Sequence, residues 1–288
     1  MANKKLKAPV NIPVEKIRPF EGHPYKVLDN DEMNTLIESI QQKGVISPIV
    51  VRPLENTEDE YEIISGHRRL RASVKAGLET VPALIYAVSR DEAAIMLVDS
   101  NLHREHILPS EKAFAYKLKL EAIKRQGERT DLTSDQVGRK LESAELIANK
   151  SDDSKTQVRR YIRLTYLIPE LLNLVDEERI AFTPAVELSY LNEVEQADLV
   201  EEISICDATP NLSQAQRLRA ISRDEGLTPE EIGEILAEEK ANQREKIKIP
   251  AERIRKYFPK SYTTEQIEEA IVKICESRYR ARQGRDAR

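Results

Sequence analysis

The stretch SGHRRLRA, which begins at Ser65, joins an apolar extended run to a helical pattern through one glycine. Backbone N–H groups at a helix start are unpaired, and the positive end of the helix dipole lies there, so an anion is favoured. Gly66 lets the backbone approach a ligand closely, and Arg68 and Arg69 can form forked hydrogen bonds with phosphate oxygens. The pattern predicts a phosphate site, although an ordinary turn followed by a solvated basic helix fits it equally well.

A second polar group ends the next predicted helix, in the sequence DSNLHRE that starts at Asp99. Asn101 can offer a carbonyl oxygen to Mg²⁺, and Arg104 can reach a phosphate. Mg²⁺ in nucleotide sites takes only one or two protein ligands, so a single amide is sufficient. A polar helix end without a ligand is the alternative, and the local pattern favours it.

The segment from Ser143 to Leu167 predicts a helix-turn-helix, with a turn at about Ser151 to Asp153. Ser154 and Gln157 predict a capping box at the start of the second helix. Basic and amide side chains near the start of such a helix read base edges and phosphates. The alternative is a basic amphipathic helix that faces water. The predicted DNA-contacting residues are Ser154, Lys155, Thr156, Gln157, Arg159 and Arg160.

Periodicity and turn signals predict an α+β chain in which a small mixed α/β part precedes an all-helical part. The predicted α/β elements are a helix at 29–43, strands at 45–52, 60–64 and 81–88, a helix at 67–76 and a helix from 89 to about 104. From Leu108 onward the chain reads almost entirely as helices. The first of these is expected to run from Pro109 to Gln126 and to stop at Gly127.

Composition suits a cytoplasmic protein with several small cores. Charged residues make up 33% of the 288 positions, Trp is absent, and the net charge is −5. The charge is uneven, since Ser65–Lys75 and Ser154–Arg163 each contain four Lys or Arg and no acid. No apolar run approaches the roughly 20 residues that span a bilayer, so no membrane partner is expected. Cys206 and Cys275 lack metal-ligand spacing and are read as small apolar residues.

Three successive stretches resemble the boxes of the ParB N-terminal domain. They are GVISPIVVRP from Gly44, SGHRRLRA from Ser65 and NLHREHILPSEKAFAY from Asn101. The resemblance implies that the chain binds CTP and Mg²⁺, closes as a clamp on double-stranded DNA at a parS-like site and forms a homodimer near a nucleoid or plasmid. Asn101 is the implied metal ligand. The implied nucleotide-binding residues are Ser47, Pro48, Ile49, Ser65, Gly66, His67, Arg68, Arg69 and Arg104.

The sequence departs from the family pattern at three places. His67 replaces the Glu of Gly-Glu-Arg-Arg, and Ser100 replaces a Glu that is important for hydrolysis. Asp99 lies one residue earlier, which turns it by about 100° around a helix. We therefore expect weak or absent CTPase activity, with no catalytic residue assigned. The Leu-Gly-Arg-Gly-Leu peptide that stimulates a ParA-type ATPase partner is also missing, which puts that partner in doubt.

The predicted organisation is a flexible basic tail (1–11), a nucleotide-binding domain (12–106), a helical DNA-binding domain (107–210), a charged helical linker (211–245) and a C-terminal dimerisation region (246–288). A helix-turn-helix regulator without nucleotide binding is the main alternative. A sulfiredoxin is disfavoured because position 67 is not Cys, and a serine kinase because Ser100 supplies no carboxylate.

Overall fold

The computed structural model of the chain divides into two compact units, Met1–Glu238 and Glu239–Arg288. In the first unit a mixed sheet is followed by helices, which confirms the predicted α+β class. The residues that the structure describes are 8–55, 57, 59–102, 104, 106–130, 147, 153–224, 226–238, 254–259 and 262–286.

The sheet has five strands in the order β1-β5-β3-β4-β2. Strand β3 lies parallel to β5 and antiparallel to β4, so the two central pairings differ in direction. The strands are β1 Val10–Pro13, β2 Ile17–Arg18, β3 Ile49–Pro53, β4 Tyr61–Ser65 and β5 Thr80–Ile85.

Helices cover both faces of this sheet. Successive side chains of a strand point to opposite faces, and Ile63 and Ile64 of β4 accordingly join different core clusters. Ile63 packs with the sheet core that Leu70 of α2 (His67–Lys75) also contacts, while α1 (Asp31–Lys43) packs outside α2 through Met33. Ile64 packs on the other side with α3 (Arg90–Asn101).

Local signals explain where these helices begin and end. The side chain of Asn30 caps α1 by accepting from the Met33 amide at 3.1 Å, and Gly44 ends the helix at φ 68°. Ser89 and Glu92 form the predicted capping box of α3. The observed bounds therefore agree with the predicted ones within one to two residues at most ends.

The second part of this unit is helical and shares one large core, in which Leu164, Leu171, Leu188 and Leu199 are buried. The first helix differs from its prediction, because it continues through Gly127 to Thr130. A single glycine weakens a helix by only about 1 kcal/mol, and flanking helix-formers outweigh it. The helices are α4 Pro109–Thr130, α5 Lys155–Leu164, α6 Pro169–Asp176, α7 Phe182–Leu188, α8 Glu193–Cys206, α9 Leu212–Asp224 and α10 Pro229–Ala237.

The segment predicted as a charged linker is different in the structure. Within residues 211–238, helices α9 and α10 bury Leu218, Ile232 and Ile235 in the same core as Leu199. The high charge of this segment misled the prediction, because its charged residues lie outside an apolar stripe that packs inward. The part from residue 239 to 245 lies outside the described residues.

The second unit contains α11 (Thr264–Asp286), in the region predicted to dimerise. Val272 and Ile274 of this helix are more than half exposed. The first helix of the predicted helix-turn-helix, at 143–150, lies outside the described residues except for the buried Ile147. No helix among the described residues is both long and apolar enough to span a membrane.

Gly66 forms the junction between β4 and α2 at φ 98°, and an added Cβ would lie 2.9 Å from Cγ2 of Ile49. Gly77 also has positive φ, but nothing lies within 4 Å of its added Cβ. We expect both Gly→Ala changes to cost about 1–3 kcal/mol of backbone strain, and Gly66→Ala to cost about 1–3 kcal/mol more for overpacking. Urea unfolding of both variants measures the difference, and equal losses would contradict the steric role of Gly66.

Candidate nucleotide hollow and candidate DNA-reading helix

A hollow of about 280 Å³ opens where β4 meets α2, beside the end of α3. It brings together the predicted phosphate turn and the predicted polar end of α3, which are more than 30 positions apart in the sequence. Among the residues that the structure describes, no Asp or Glu lines it. The lining residues are His23, Tyr25, Lys26, Val27, Leu36, Ser65, Gly66, His67, Arg68, Arg69, Ser100, Asn101 and Arg104.

The start of α2 is arranged to receive an anion. Gly66 occupies the cap position in the left-handed conformation and offers no side chain to cap the helix. In the part of the chain that the structure describes, no other side chain is seen to accept from its first amides. These amides therefore keep their hydrogen-bonding capacity for a ligand. Arg68 lines the hollow and forms an ion pair at 2.9 Å with Glu32, whose side chain is 71% exposed. A pair this exposed is weak, so a phosphate can compete with Glu32 for the guanidinium.

Arg69 borders the hollow but also makes hydrogen bonds inside the protein. Its Nη1 donates to the carbonyl oxygens of Ser47 at 2.6 Å and Pro48 at 2.7 Å. Burial lowers the pKa of Arg69, yet these carbonyls are its partners rather than a carboxylate. Arg69 therefore holds the loop before β3 against α2, while its side chain still borders the hollow.

The first predicted box supports the hollow from behind. Ile49 is completely buried in the sheet core. Its side chain fills the space that a Cβ at residue 66 would need. The carbonyls of Ser47 and Pro48 are occupied by Arg69. These three residues position the hollow, and their side chains are not among those that line it.

The end of α3 presents an amide to the hollow. The Asn101 amide nitrogen donates to the Leu97 carbonyl at 2.8 Å and to Ser100 Oγ at 3.2 Å, which leaves the carbonyl oxygen of Asn101 as its ligand atom. Asp99 forms an ion pair with Lys119 of α4, whose side chain is only 1% exposed. The carboxylate of α3 that lies next to Ser100 in the sequence is therefore paired with α4.

Asn101 is consistent with Mg²⁺ held mainly by a nucleotide. The described residues contain no group of three or more His, Cys, Asp or Glu that could hold a metal by themselves. A single neutral oxygen fits a Mg²⁺ ion whose other ligands are phosphate oxygens and water.

Two stacked histidines line the hollow, and this pairing was not predicted from the sequence. The rings of His23 and His67 lie 3.7 Å apart between centroids, tilted by 36°. Burial, with smaller effects of His23 and Arg104, lowers the pKa of His67 to about 3. Burial also lowers the pKa of His23. Both imidazoles are therefore neutral near pH 7, so the positive charge of the hollow comes from its Lys and Arg side chains.

Tyr25 lies beside this pair, and its hydroxyl has no hydrogen-bond partner in the described structure, as is also true of His67 Nε2. The Arg104 guanidinium lies 5.7 Å from the centre of the Tyr25 ring. His23, Tyr25 and Lys26 come from a connecting loop whose sequence carries no helix, strand or motif signal. Only its folding across α2 brings these residues to the hollow.

Ion pairs of Asp29 attach the end of that loop to α2. The Asp29 carboxylate accepts from Arg71 Nε at 2.8 Å and lies 2.8 Å from Lys75 Nζ. Hydrogen bonding to Arg71 and Lys75 holds the pKa of Asp29 well below its usual range. The loop that supplies His23, Tyr25 and Lys26 is thereby anchored to the outer face of α2.

Lys26 links the hollow to the helical part. Its Nζ lies 3.2 Å from Asp176 at the end of α6, and its backbone amide donates to Glu111 of α4 at 2.8 Å. Asp176 also accepts from the Ser110 amide at 3.0 Å and the Ser110 hydroxyl at 2.6 Å. A lysine that lines the hollow therefore shares one carboxylate with the start of α4.

Helix α5 presents the predicted reading surface. Ser154 caps it by accepting from the Gln157 amide at 3.2 Å, and its first turn contains no acid. Val158 and Leu164 are buried, whereas Thr156 and Arg159 are exposed. The helix thus has its apolar face inside and a basic, polar face outside, as predicted.

Arg160 is less available than the sequence suggested. It donates to Thr183 Oγ1 at 2.9 Å, and its guanidinium lies 5.0 Å from the centre of the Phe182 ring. Its Nη1 also approaches Gln157 Oε1 at 3.4 Å. Arg160 therefore orients Gln157 and packs against α7, while Arg159 points into solvent.

Comparison of the sequence with known proteins identifies the ParB family. A family model described as the ParB N-terminal domain matches residues 2–102. The chain is 32% identical over 232 residues to a nucleoid occlusion protein of Listeria innocua. This alignment covers 75% of this chain and 76% of that protein. The chain is also 32% identical over 171 residues to the chromosome-partitioning protein Spo0J of Thermus thermophilus, covering 59% of this chain and 56% of that protein.

Two solved structures of C-terminally truncated ParB from Caulobacter crescentus are also similar. The complex with the centromeric parS site has a TM-score of 0.42 and 21% identity, and covers 73% of this chain and 98% of that chain. The complex with CTP-gamma-S has a TM-score of 0.32 and 24% identity, and covers 69% of this chain and 99% of that chain.

The buried neutral state of His67 predicts an acid-sensitive fold. The unfolded chain takes up a proton near the ordinary value of 6.5, whereas folded His67 takes it up only near pH 3. The free energy of unfolding must therefore fall as the pH drops below 6.5. His67→Asn should flatten this fall in urea unfolding at successive pH values. The exposed His106, changed to Asn, is the control, and an unchanged pH profile in His67→Asn would contradict the assignment.

Proposed function

The chain belongs to the ParB family, and from this premise we propose that it is a sequence-specific DNA-binding partition protein that closes on DNA when CTP is bound. The observation that carries the proposal is the cationic hollow at the start of α2. It gathers Lys26, Arg68, Arg69 and Arg104 in a pocket whose described lining residues include no acid. A basic reading helix lies in the same unit of the chain.

The hollow suits the triphosphate part of a nucleotide. The start of α2 and Arg68 line it, and Lys26 and Arg104 border it from other parts of the chain. Charge-assisted hydrogen bonds to phosphate are about twice as strong as neutral ones, so these groups supply most of the affinity. CTP is the nucleotide implied by the resemblance to the three ParB boxes.

Mg²⁺ would be held by the phosphates together with the Asn101 carbonyl oxygen. When bound, it would neutralise phosphate charge next to the arginines. Residues of the chain then have to position the phosphates and limit their solvation, and Arg69 does so indirectly by holding the loop of Ser47 and Pro48.

Hydrolysis of CTP is proposed to be weak or absent. The hydroxyl of Ser100 donates to the Leu97 carbonyl at 2.9 Å, and Asp99 is paired with Lys119. No carboxylate lines the described hollow to orient a water molecule. Bound CTP would then keep the protein closed for a long time, because it is not rapidly hydrolysed.

The DNA site is assigned to the outer surface of α5. Gln157 and Arg159 lie in its first turns, where a recognition helix meets base edges and phosphates. Gln is suited to adenine and Arg to guanine. Ser154, Lys155 and Thr156 complete the start of the helix, and Arg160 orients Gln157 from below.

A homodimer through the C-terminal region is proposed as well. Helix α11 leaves Val272 and Ile274 exposed, which is consistent with a surface that pairs with a second copy. Association with a nucleoid or plasmid would follow from DNA binding. A ParA-type ATPase partner stays a prediction, since residues 1–7 lie outside the described structure.

Nucleotide affinity tests the hollow. Arg68→Gln should weaken CTP binding at least tenfold, because it removes a charged phosphate ligand. Glu32→Gln should strengthen binding by about two- to fivefold, since breaking an exposed ion pair frees Arg68 at a cost of only about 0.2–1 kcal/mol. Isothermal titration with CTP, ATP and GTP measures this, and phosphate release in the same samples reports the expected slow turnover.

Glu38→Gln is the matched control, because Glu38 is an exposed acid on the same helix as Glu32. It changes net charge equally and should leave CTP affinity unchanged. Wild-type affinity in Arg68→Gln would show that the nucleotide does not bind here.

DNA selection tests the reading helix. After selection of preferred duplexes from a random pool, Gln157→Ala and Arg159→Ala should each lose about 1–3 kcal/mol of preference for the selected site. Fluorescence anisotropy at fixed salt gives both affinities. If both variants kept the wild-type preference, α5 would not be the reader.

A further inference from the structure

Cations and tyrosines alternate along one surface of the helical part. The Tyr190 ring lies between two guanidinium groups, with Arg163 at 4.0 Å and Arg219 at 3.5 Å from its centre. Arg163 also lies 4.5 Å from the centre of Tyr166, and Lys117 lies 5.7 Å from it. We call these five residues the arginine–tyrosine ladder.

The ladder faces solvent although its cations are held in place. Tyr166 is 57% exposed and Tyr190 is 45% exposed, so neither ring is a core residue. Arg163 donates from Nε to Ser189 Oγ at 3.0 Å and from Nη2 to the Ser189 carbonyl at 2.6 Å. These partners are neutral, so they fix the guanidinium without cancelling its charge.

Only part of the positive charge is balanced locally. Arg219 pairs with Glu187 at 2.6 Å, whereas Arg163 is bonded to Ser189 and stacked on tyrosines. Two guanidinium groups within 4.0 Å of one ring centre repel each other unless an anion offsets the repulsion. Such clustering in a chain of net charge −5 indicates a surface prepared for an anionic partner.

The ladder continues the exposed side of the reading helix. Arg159 and Arg163 are four residues apart on α5 and therefore neighbours on one helix face, and Tyr166 follows at the helix end. A duplex lying along Thr156 and Arg159 would pass next to Arg163 and Tyr190. An extended row of cations matches the repeated phosphates of a DNA backbone better than a single compact ligand.

We propose that the arginine–tyrosine ladder is a second DNA contact, which grips backbone phosphates beside the bases read by α5. This inference rests on the proposed DNA binding. Phosphate contacts fix position and register without reading sequence. Stacking on Tyr166 and Tyr190 already restricts the conformations of the cationic side chains. Little side-chain entropy is therefore lost when a phosphate binds.

Arg219→Gln tests the ladder, with Arg217→Gln as its control. Both arginines lie on α9 and both pair with a glutamate, at 2.6 Å to Glu187 and 2.6 Å to Glu238 respectively. Each variant therefore removes the same charge and leaves one acid unpaired. Affinity of the full chain for a random-sequence duplex is measured by anisotropy over a series of salt concentrations.

A plot of log affinity against log salt has a negative slope. Its magnitude should become smaller by about 1 in Arg219→Gln and stay unchanged in Arg217→Gln. Arg219→Lys should keep the wild-type slope, which separates lost charge from lost folding. Equal slopes in Arg219→Gln and Arg217→Gln, with the wild type still binding DNA, would overturn the ladder alone. Failure of the wild type to bind any duplex would overturn the proposed function.

An acidic protein segment is the other anionic partner of this kind. Labelled polyglutamate in the same assay distinguishes it from DNA. If Arg219→Gln lost polyglutamate binding while its duplex slope stayed at the wild-type value, the ladder would be a protein-binding surface and the proposal would be wrong.

Discussion

The close contact between the Gly66 backbone and Ile49 is the constraint on which the rest of the structure depends. Because residue 66 has no side chain, α2 starts directly over the buried strand β3 at a positive φ of 98°. That placement lets Arg69 reach back to the carbonyls of Ser47 and Pro48, and it aims the first amides of α2 at the hollow. A larger residue would move the helix start, and the residues of α2 that line the hollow would move with it.

The same hollow is joined to the helical part of the unit through Asp176. This carboxylate accepts from Ser110 at the start of α4 and pairs with Lys26 of the hollow. Tyr116 on α4 in turn donates to Asp153, just before α5, at 2.5 Å. Ligand charge that draws Lys26 toward the hollow would therefore weaken its ion pair with Asp176, the same carboxylate that holds the start of α4. Helix α5 packs on α4.

Much of this arrangement was predictable because its signals are local. The β4–Gly66–α2 junction, the α3 capping box and the basic face of α5 follow from caps, periodicity and charge, and the family resemblance based on three boxes is confirmed. The stacked His23 and His67 were not predictable, because His23 comes from a loop without a pattern. The linker predicted at 211–245 was wrong within 211–238 for a different reason, since surface charge concealed a packed apolar stripe.

In the proposed function, binding of a nucleoside triphosphate causes the protein to close on duplex DNA. The most direct measurement is chemical crosslinking of the full chain with its selected duplex, repeated with CTP, ATP, GTP, UTP and no nucleotide. The account predicts that only CTP together with that duplex produces a crosslinked, DNA-enclosing dimer. Equal crosslinking with every nucleotide, or without any, would contradict it.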